Sequence, residues 1–574
     1  MVLAGSLGVA RLSNFRLQNS YSACWLTLTL FAAVPGSANG ADLPVAVSGA
    51  SQMHADTSVI SPSVLESSGA VVGNVRINAG SIFDLDDPEE DRVLYRLANR
   101  LHVTTRNDVI EQQLLFRAGE PFSAQKIEES ARILRTNRYL QEAYVRPIAV
   151  TDGVVDLEVE TSDVWTLMPK LSLSRSGGEN KGAIGIKEMN LLGTGIGLEA
   201  IYKSDVDRDS TSIRYVDKNL GSSWYSLGIY LADNSDGHSA QAEINRPFYS
   251  LDSKSSGGFS FLDNDEVDSF YDLGERQSEY RHEAEALEAS IGWSKGLVDG
   301  FSKRWVVGLA KDDHTFSNFE RSEYPVGVLP EDRKLLYPFI ALEIVEDKFE
   351  QAQNLQQIGR TEDRFLGTRL TARLGLAAEG AGSDRDAVII AATAETGFGT
   401  SRRSSLLLAS DISARVEGGG VQNLALNGSA QYFKRQSEKR LLYVGLSGSF
   451  GQNLDLDQLF MMGGDNGLRG YPLRYQTGDK RAQLTVEQRY FTDWYPFRLF
   501  RVGGAVFFDV GKVWGDTAVS TTQQGLLRDV GFGLRIGNNR SGLGRMTHID
   551  VAFPLDGDDR IENVQFLVST RKSF

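Results

Sequence analysis

The feature that most restricts this chain is a two-residue hydrophobic period that recurs from residue 165 to its end. In "QLTVEQRY", Leu484, Val486 and Tyr490 fall on one side, and Gln483, Thr485, Glu487 and Arg489 on the other. "RVGGAVFFDV" sets Val502, Val506, Phe508 and Val510 against Arg501, Gly503, Ala505, Phe507 and Asp509, and "RDVGFGLRI", "HIDVAFPL" and "VQFLVSTRKSF" repeat the pattern. Successive side chains of a strand point to opposite faces, so each segment needs one apolar and one polar surrounding. A soluble sandwich supplies this with its apolar faces inward, a membrane barrel with its apolar face toward lipid. Two features favour the barrel. The polar faces mix charges with glycines, as a crowded wet interior would, and the last alternating strand closes on an aromatic, Phe574. Divided into strands of about 10 residues with turns and loops, the region gives an antiparallel barrel of about 16 strands.

Composition narrows the partners. The 574 residues carry a net charge of −15, which disfavours nucleic acid. It does not disfavour a membrane, because a barrel keeps its charges in lumen and loops. The single cysteine, Cys24, excludes an intramolecular disulfide and lies at the start of "ACWLTLTLFAAVPGSANGADLP". With Arg11 and Arg16 upstream and small residues downstream, this reads as a secretory signal over residues 1–41, cleaved between Ala38 and Ala41. The apolar run is too short to span a bilayer.

Residues 42–70, rich in serine and alanine and without apolar period, are expected to form a linker. Residues 71–164 differ: a strand at "VVGNVRINAGSIFD", a helical stretch at "EEDRVLYRLANRL", and a short helix at "NDVIEQQLLF" with Asn107 or Asp108 as its cap. A second helix follows, capped by Ser123, with Ile127, Ala131 and Leu134 on one face. The strands "EAYVRPIAV" and "VVDLEVET" then flank the turn Thr151-Asp152-Gly153. The order predicts a small sheet with helices on one face.

Within the barrel region, "MGGDNGLRGYP" puts Arg469 in a glycine-rich loop, residues 451–480. Asp509 and Glu487, in adjacent predicted strands, share the polar face. An arginine on an inward-folded loop could reach one or both, since its planar fork binds carboxylate bidentately and stays charged. Gly470 is expected to give the backbone its freedom to turn.

These residues carry a family resemblance. "LLFRAGEPFSAQKIEESARILRTNRYLQEAYV" resembles the POTRA module, a periplasmic polypeptide-binding domain. "LRGY" is similar to the Arg-Gly-aromatic loop tip of the BamA/TamA and two-partner-secretion superfamily (the bacterial surface antigen family), and "FFDVG", with Phe507 and Gly511, to its Phe-x-Asp-x-Gly strand motif. "EMNLLGTG", residues 188–195, resembles the early-barrel motif, and Phe566, Val568 and Phe574 resemble the insertion signal of a terminal strand, although Lys572 departs from it. The resemblance implies that Arg469, with Gly470 and Tyr471 at the loop tip, pairs with Asp509; Glu487 as second partner follows from strand facing alone. It implies a Gram-negative outer-membrane barrel with its POTRA domain in the periplasm, surrounded by outer-membrane lipids. Its partners would be unfolded outer-membrane or secreted polypeptides taken up by strand addition, with room for a periplasmic partner protein. The expected function is protein insertion or translocation. The alternatives are a secretion pore for one exoprotein, and a passive or structural barrel without client activity. The chain departs from the family in showing one POTRA module rather than two or more.

No catalytic constellation is legible, and no cofactor is expected. The six histidines make no zinc spacing in sequence, so no metal site is expected. "DVDRDS", residues 205–210, lacks the glycine and glutamate of a calcium loop, and "DNDEVD", residues 263–268, reads as a charged loop.

Overall fold

The computed structural model describes residues 61–571 apart from Val326, Asp516, 520–524 and 543–545. The expected signal sequence, residues 42–60 of the expected linker, and Lys572 and Phe574 lie outside the described residues.

Strict alternation from Met168 onward builds one closed antiparallel barrel, from Met168–Ser176 to Gln565–Arg571. The barrel has 20 strands, not about 16. An even allowance of chain for each connection is too generous here. Six strands fit between Met168 and Arg246, and several hairpins around the barrel turn in two residues. At Gly177-Gly178, Leu273-Gly274, Asp299-Gly300 and Gly418-Gly419 both central residues have positive φ. This is the turn whose twist matches the flanking strands. The apolar faces point outward: Leu171, Ile184, Ile291, Phe532 and Phe566 are exposed on the outer wall, while Asp509, Asp529 and Arg535 are buried inside. No helix of the described residues is long and apolar enough to cross a membrane, which says nothing of a barrel.

One junction differs from the rest. Among the described residues, the last strand meets the first through a single ladder pair, Val568 with Arg175, whereas Met546–Pro554 meets the last strand through seven pairs, from Met546–Arg571 to Ala552–Gln565. A wall is held by its ladder of backbone hydrogen bonds, so among the described residues this seam is the least paired line of the wall.

The N-terminal residues form a three-stranded sheet, Val71–Gly80, Val154–Asp163 and Leu140–Thr151, with the central strand pairing parallel on one side and antiparallel on the other. Helix Ala124–Arg135 buries Ile127, Ala131 and Leu134, and Ser123 caps it by accepting from the Lys126 amide. The short helix Asn107–Glu111 takes Arg106 as its N-cap, with no side-chain cap, instead of Asn107 or Asp108. Residues 61–70 are not a linker. They include the helix Pro62–Ser67, whose Leu65 joins the domain core with Val72, Leu134 and Val155. One leucine among serines gives no period to read.

This domain sits against one mouth of the barrel, the near end. Arg135 makes two hydrogen bonds to Asp363 (2.7 and 2.6 Å), Tyr95 Oη donates to Phe497 O (2.8 Å), and the Leu251 amide donates to Glu129 Oε1 (2.9 Å). Asn190 and Gly193 of "EMNLLGTG" lie at the same mouth: Asn190 Nδ2 donates to Thr105 Oγ1 (2.8 Å), and Gly193 O accepts from the Arg106 amide (3.1 Å).

Candidate functional site: two segments inside the barrel

The loop between Arg440–Gln452 and Lys480–Phe491 folds into the barrel from the far mouth. Its base is a short ladder of Phe460–Met462 with Gln476–Gly478. It is fastened around its circumference. Arg474 grips Asp207 through Nη1 and Nη2, Arg415 grips Asp455, and Arg333 grips Asp457. Ser176 Oγ donates to Gly464 O (2.8 Å), tying the loop to the first hairpin. The aspartate-rich turn at 205–208 thus supplies Asp207 as an anchor.

At the loop tip the structure brings together Arg469, Asp509 and Glu487. Arg469 Nε and Nη2 donate to the two oxygens of Asp509 (2.7 and 3.0 Å), and Nη1 donates to Glu487 Oε1 (2.8 Å). All three are buried, Asp509 completely. The guanidinium lies 3.4 Å above the Phe507 ring centroid, so the aromatic of the strand motif forms the floor under the cation. A buried charge is tolerated when paired and hydrogen-bonded, and here both conditions hold.

Neighbouring motif residues make space or add bonds. The Gly470 amide donates to Asp529 Oδ2 (3.1 Å), and Tyr471 Oη donates to Arg528 O (2.7 Å). Gly470 is needed for close approach, not for backbone freedom as expected. Its φ lies outside the left-handed region, but a Cβ there would stand 2.7 Å from Asp529 Cβ and 3.1 Å from Pro554 N. Gly511 likewise makes room. A Cβ there would meet the Met462 sulfur at 2.5 Å, so its absence seats the loop methionine against the wall. Phe566 is exposed on the outer wall, and Val568 forms the seam pair.

Two further residues take part that the motifs do not mark. Asp529 is assigned to the polar face by alternation, and nothing else in the sequence gives it a partner. Arg489 is the second. Its Nε donates to Glu487 Oε2 (2.9 Å), so Glu487 lies between two arginines, and its Nη1 donates to Leu355 O (2.9 Å).

Leu355 belongs to a segment that enters the barrel from the near mouth. Phe349–Ala352 pairs with Glu362–Phe365, and the residues between them reach inward. Leu355 and Ile358 pack against Phe433, Leu441, Phe491 and Met546. The Glu362 carboxylate accepts the amides of Leu355, Gln356 and Gln357 (3.0–3.2 Å), which holds the turn closed. The barrel is therefore occupied from both mouths, and Glu487 with Arg489 stands between the two occupants.

Residues 367–571, which carry the loop, its carboxylate partners and the closing strands, match the Omp85 superfamily domain. Similar solved structures include BamA from Haemophilus ducreyi lacking POTRA domains 1–3 (13% identity, 87% of this chain, 84% of that chain, TM-score 0.36). They also include CdiB from Acinetobacter baumannii (13%, 87% and 73%, 0.43) and CdiB from Escherichia coli (11%, 88% and 76%, 0.45). No curated protein matches the chain.

Proposed function

We propose that this chain, whose residues 367–571 match the Omp85 superfamily domain, handles polypeptides at the outer membrane of a Gram-negative cell, inserting or translocating them at the seam of its barrel. The observation that carries this reading is the contrast between the wall and its contents. The interior is filled from both mouths, while the first and last strands meet through one ladder pair among the described residues. A passive pore needs an open bore, and an exoprotein pore needs one wide enough for a chain; a barrel acting on an entering strand needs an edge that opens. Unpaired strand edges recruit other strands, and that is the chemistry an insertion step requires.

In this reading the N-terminal sheet is a POTRA domain in the periplasm, where the edge strands Val71–Gly80 and Leu140–Thr151 offer backbone groups to an unfolded client. The arginine tip is a lock: Arg469, Asp509 and Glu487 hold the loop so that the far mouth stays closed while the seam works. Phe566 and Val568 belong to the terminal strand that an assembly machine would read.

The test is a cysteine pair at Arg175 and Val568, whose backbones face each other across the seam. Oxidation would close the seam covalently in a mature chain expected to carry no other cysteine. Loss of several barrels from the outer membrane under oxidising conditions, restored by reductant, is the expected result. Loss of one secreted protein with the membrane proteome unchanged would move the function to a dedicated secretion pore. An unchanged membrane and secretome would leave the passive barrel.

A further inference from the structure

A second cluster lies inside the barrel, below the base of the arginine loop, and no part of the proposed function uses it. "DNDEVD" is not a loop: it lies within the strand Ser255–Asp272, and Glu266 and Asp268 alternate with outward residues so that both face the interior. The neighbouring strands, Glu275–Val298 and Phe301–Asn318, bring His282 and His314 to the same place. Register explains this: Glu266 sits opposite His282, and Ala284, two residues on, sits opposite His314. Histidines distant in sequence and without a metal spacing become neighbours across a hydrogen-bonded wall.

The contacts form a chain. His282 Nδ1 faces Asp268 Oδ2 at 3.0 Å, His282 Nε2 faces His314 Nδ1 at 2.9 Å, and His314 Nε2 faces Asp312 Oδ1 at 3.1 Å. Each contact joins two atoms that hold lone pairs, so each needs one proton or one cation between them. Two neutral imidazoles supply two protons for three contacts. If both N–H groups point toward Asp312, the contact left for a cation is the one between Asp268 and His282 Nδ1. There a third ligand is in place: ligand atoms of Glu266, Asp268 and His282 lie within 4.8 Å of one another. A small cavity of about 50 Å³ adjoins them, lined also by Asp457 and Gln458 of the loop.

We infer that Glu266, Asp268 and His282 form a site for a divalent transition cation of the zinc class. One imidazole and two carboxylates at bond lengths of about 2.0–2.2 Å, with a fourth position open to water in the cavity, is a ligand set such ions accept. The remaining proton pattern is what a ligating histidine requires: His282 Nε2–H donates to His314, and His314 Nε2–H donates to Asp312, fixing ring and tautomer. Glu266 is shared with Arg208, which also bonds Asp236 through Nε (3.0 Å). The guanidinium orients the carboxylate, and the carboxylates around it outnumber it. An ion here joins the wall directly beneath the loop base.

The experiment uses the full chain, purified in detergent without a polyhistidine tag, stripped with chelator and incubated with zinc chloride. Bound zinc is counted by elemental analysis after desalting. The expected result is one zinc per wild-type chain, loss of that equivalent in His282→Gln and in Asp268→Asn, and about 10–100-fold weaker binding in His314→Gln. Semi-native gel mobility shows which variants are folded, and Asp268→Asn, nearly isosteric, stands in where His282→Gln does not fold. Wild type that takes up no more zinc than the two variants overturns the site, and so do variants that keep the full equivalent. In the first case the third contact is filled by a proton and the pair is an imidazolium.

Discussion

Replacing Arg469 by alanine removes three hydrogen bonds, but its two partners lose unequally. Glu487 keeps Arg489 on its other oxygen (2.9 Å), whereas Asp509, fully buried, loses both of its bonds to Arg469. Breaking a buried pair from one side costs about 3–5 kcal/mol, because the survivor is stranded. Asp509→Ala is expected to cost less, since Arg469 retains Glu487 and its place above Phe507. The double variant then sets a sharper expectation than either single one. Removing Asp509 from an Arg469→Ala background takes away the stranded charge and should restore about 1–3 kcal/mol. The assay is the temperature at which the folded barrel loses its compact mobility on semi-native gels, with Arg469→Ala lowest, the double variant above it and Asp509→Ala highest. A double variant that melts below Arg469→Ala would refute the argument. It would mean that water or another cation satisfies Asp509 without the loop, and that the pair's contribution is not that of a buried ion pair.

Gly470→Ala should lower the same transition, because its Cβ would stand 2.7 Å from Asp529 Cβ and push the tip off the wall. Deletion of residues 353–360 should unplug the near mouth, read as raised conductance in planar bilayers; unchanged conductance would mean that another segment closes the bore. Asp363→Ala should remove both bonds from Arg135 to the near segment and increase protease sensitivity of the N-terminal domain relative to the barrel. Burial pushes the Glu129 carboxyl above its ordinary pKa, with the Leu251 amide and Arg132 offsetting part of the shift. A raised folded-state value means the contribution is complete below the unfolded pKa and lost as pH rises through the raised one. Wild type should therefore gain stability relative to Glu129→Gln as pH falls through that window, and parallel pH curves for the two would count against it.

The parts legible in sequence were those encoded by local period. The facing of Glu487, Asp509 and Asp529 followed from alternation, as did the buried stripe Ile127, Ala131 and Leu134 of the helix. Strand number did not follow, because it depends on how little chain a turn needs, and glycine pairs such as Gly418-Gly419 need two residues. Register was equally hidden. Nothing local to His282 or His314 announces that 32 residues of separation become one hydrogen bond across a strand pair. The inward segment at 349–365 left no signal either: its apolar anchors, Leu355 and Ile358, are two residues among polar ones, and their partners come from strands far along the chain. The part played by Gly470 is hidden for a related reason, since crowding by Asp529 and Pro554 is a property of the assembled wall.

The bond from Arg489 to Leu355 O gives the barrel contents a spine. Asp363 of the near segment is held by Arg135 of the N-terminal domain, Leu355 of the same segment by Arg489, Arg489 by Glu487, and Glu487 by Arg469 at the tip of the far loop. A few hydrogen bonds thus run from the N-terminal domain at the near mouth to the tip of the loop that enters from the far mouth. In the proposed function, a domain that swings on capturing a client would pull on this spine, and a loop that shifts would release it. The barrel is a sleeve around a strut, and its two ends are mechanically one part.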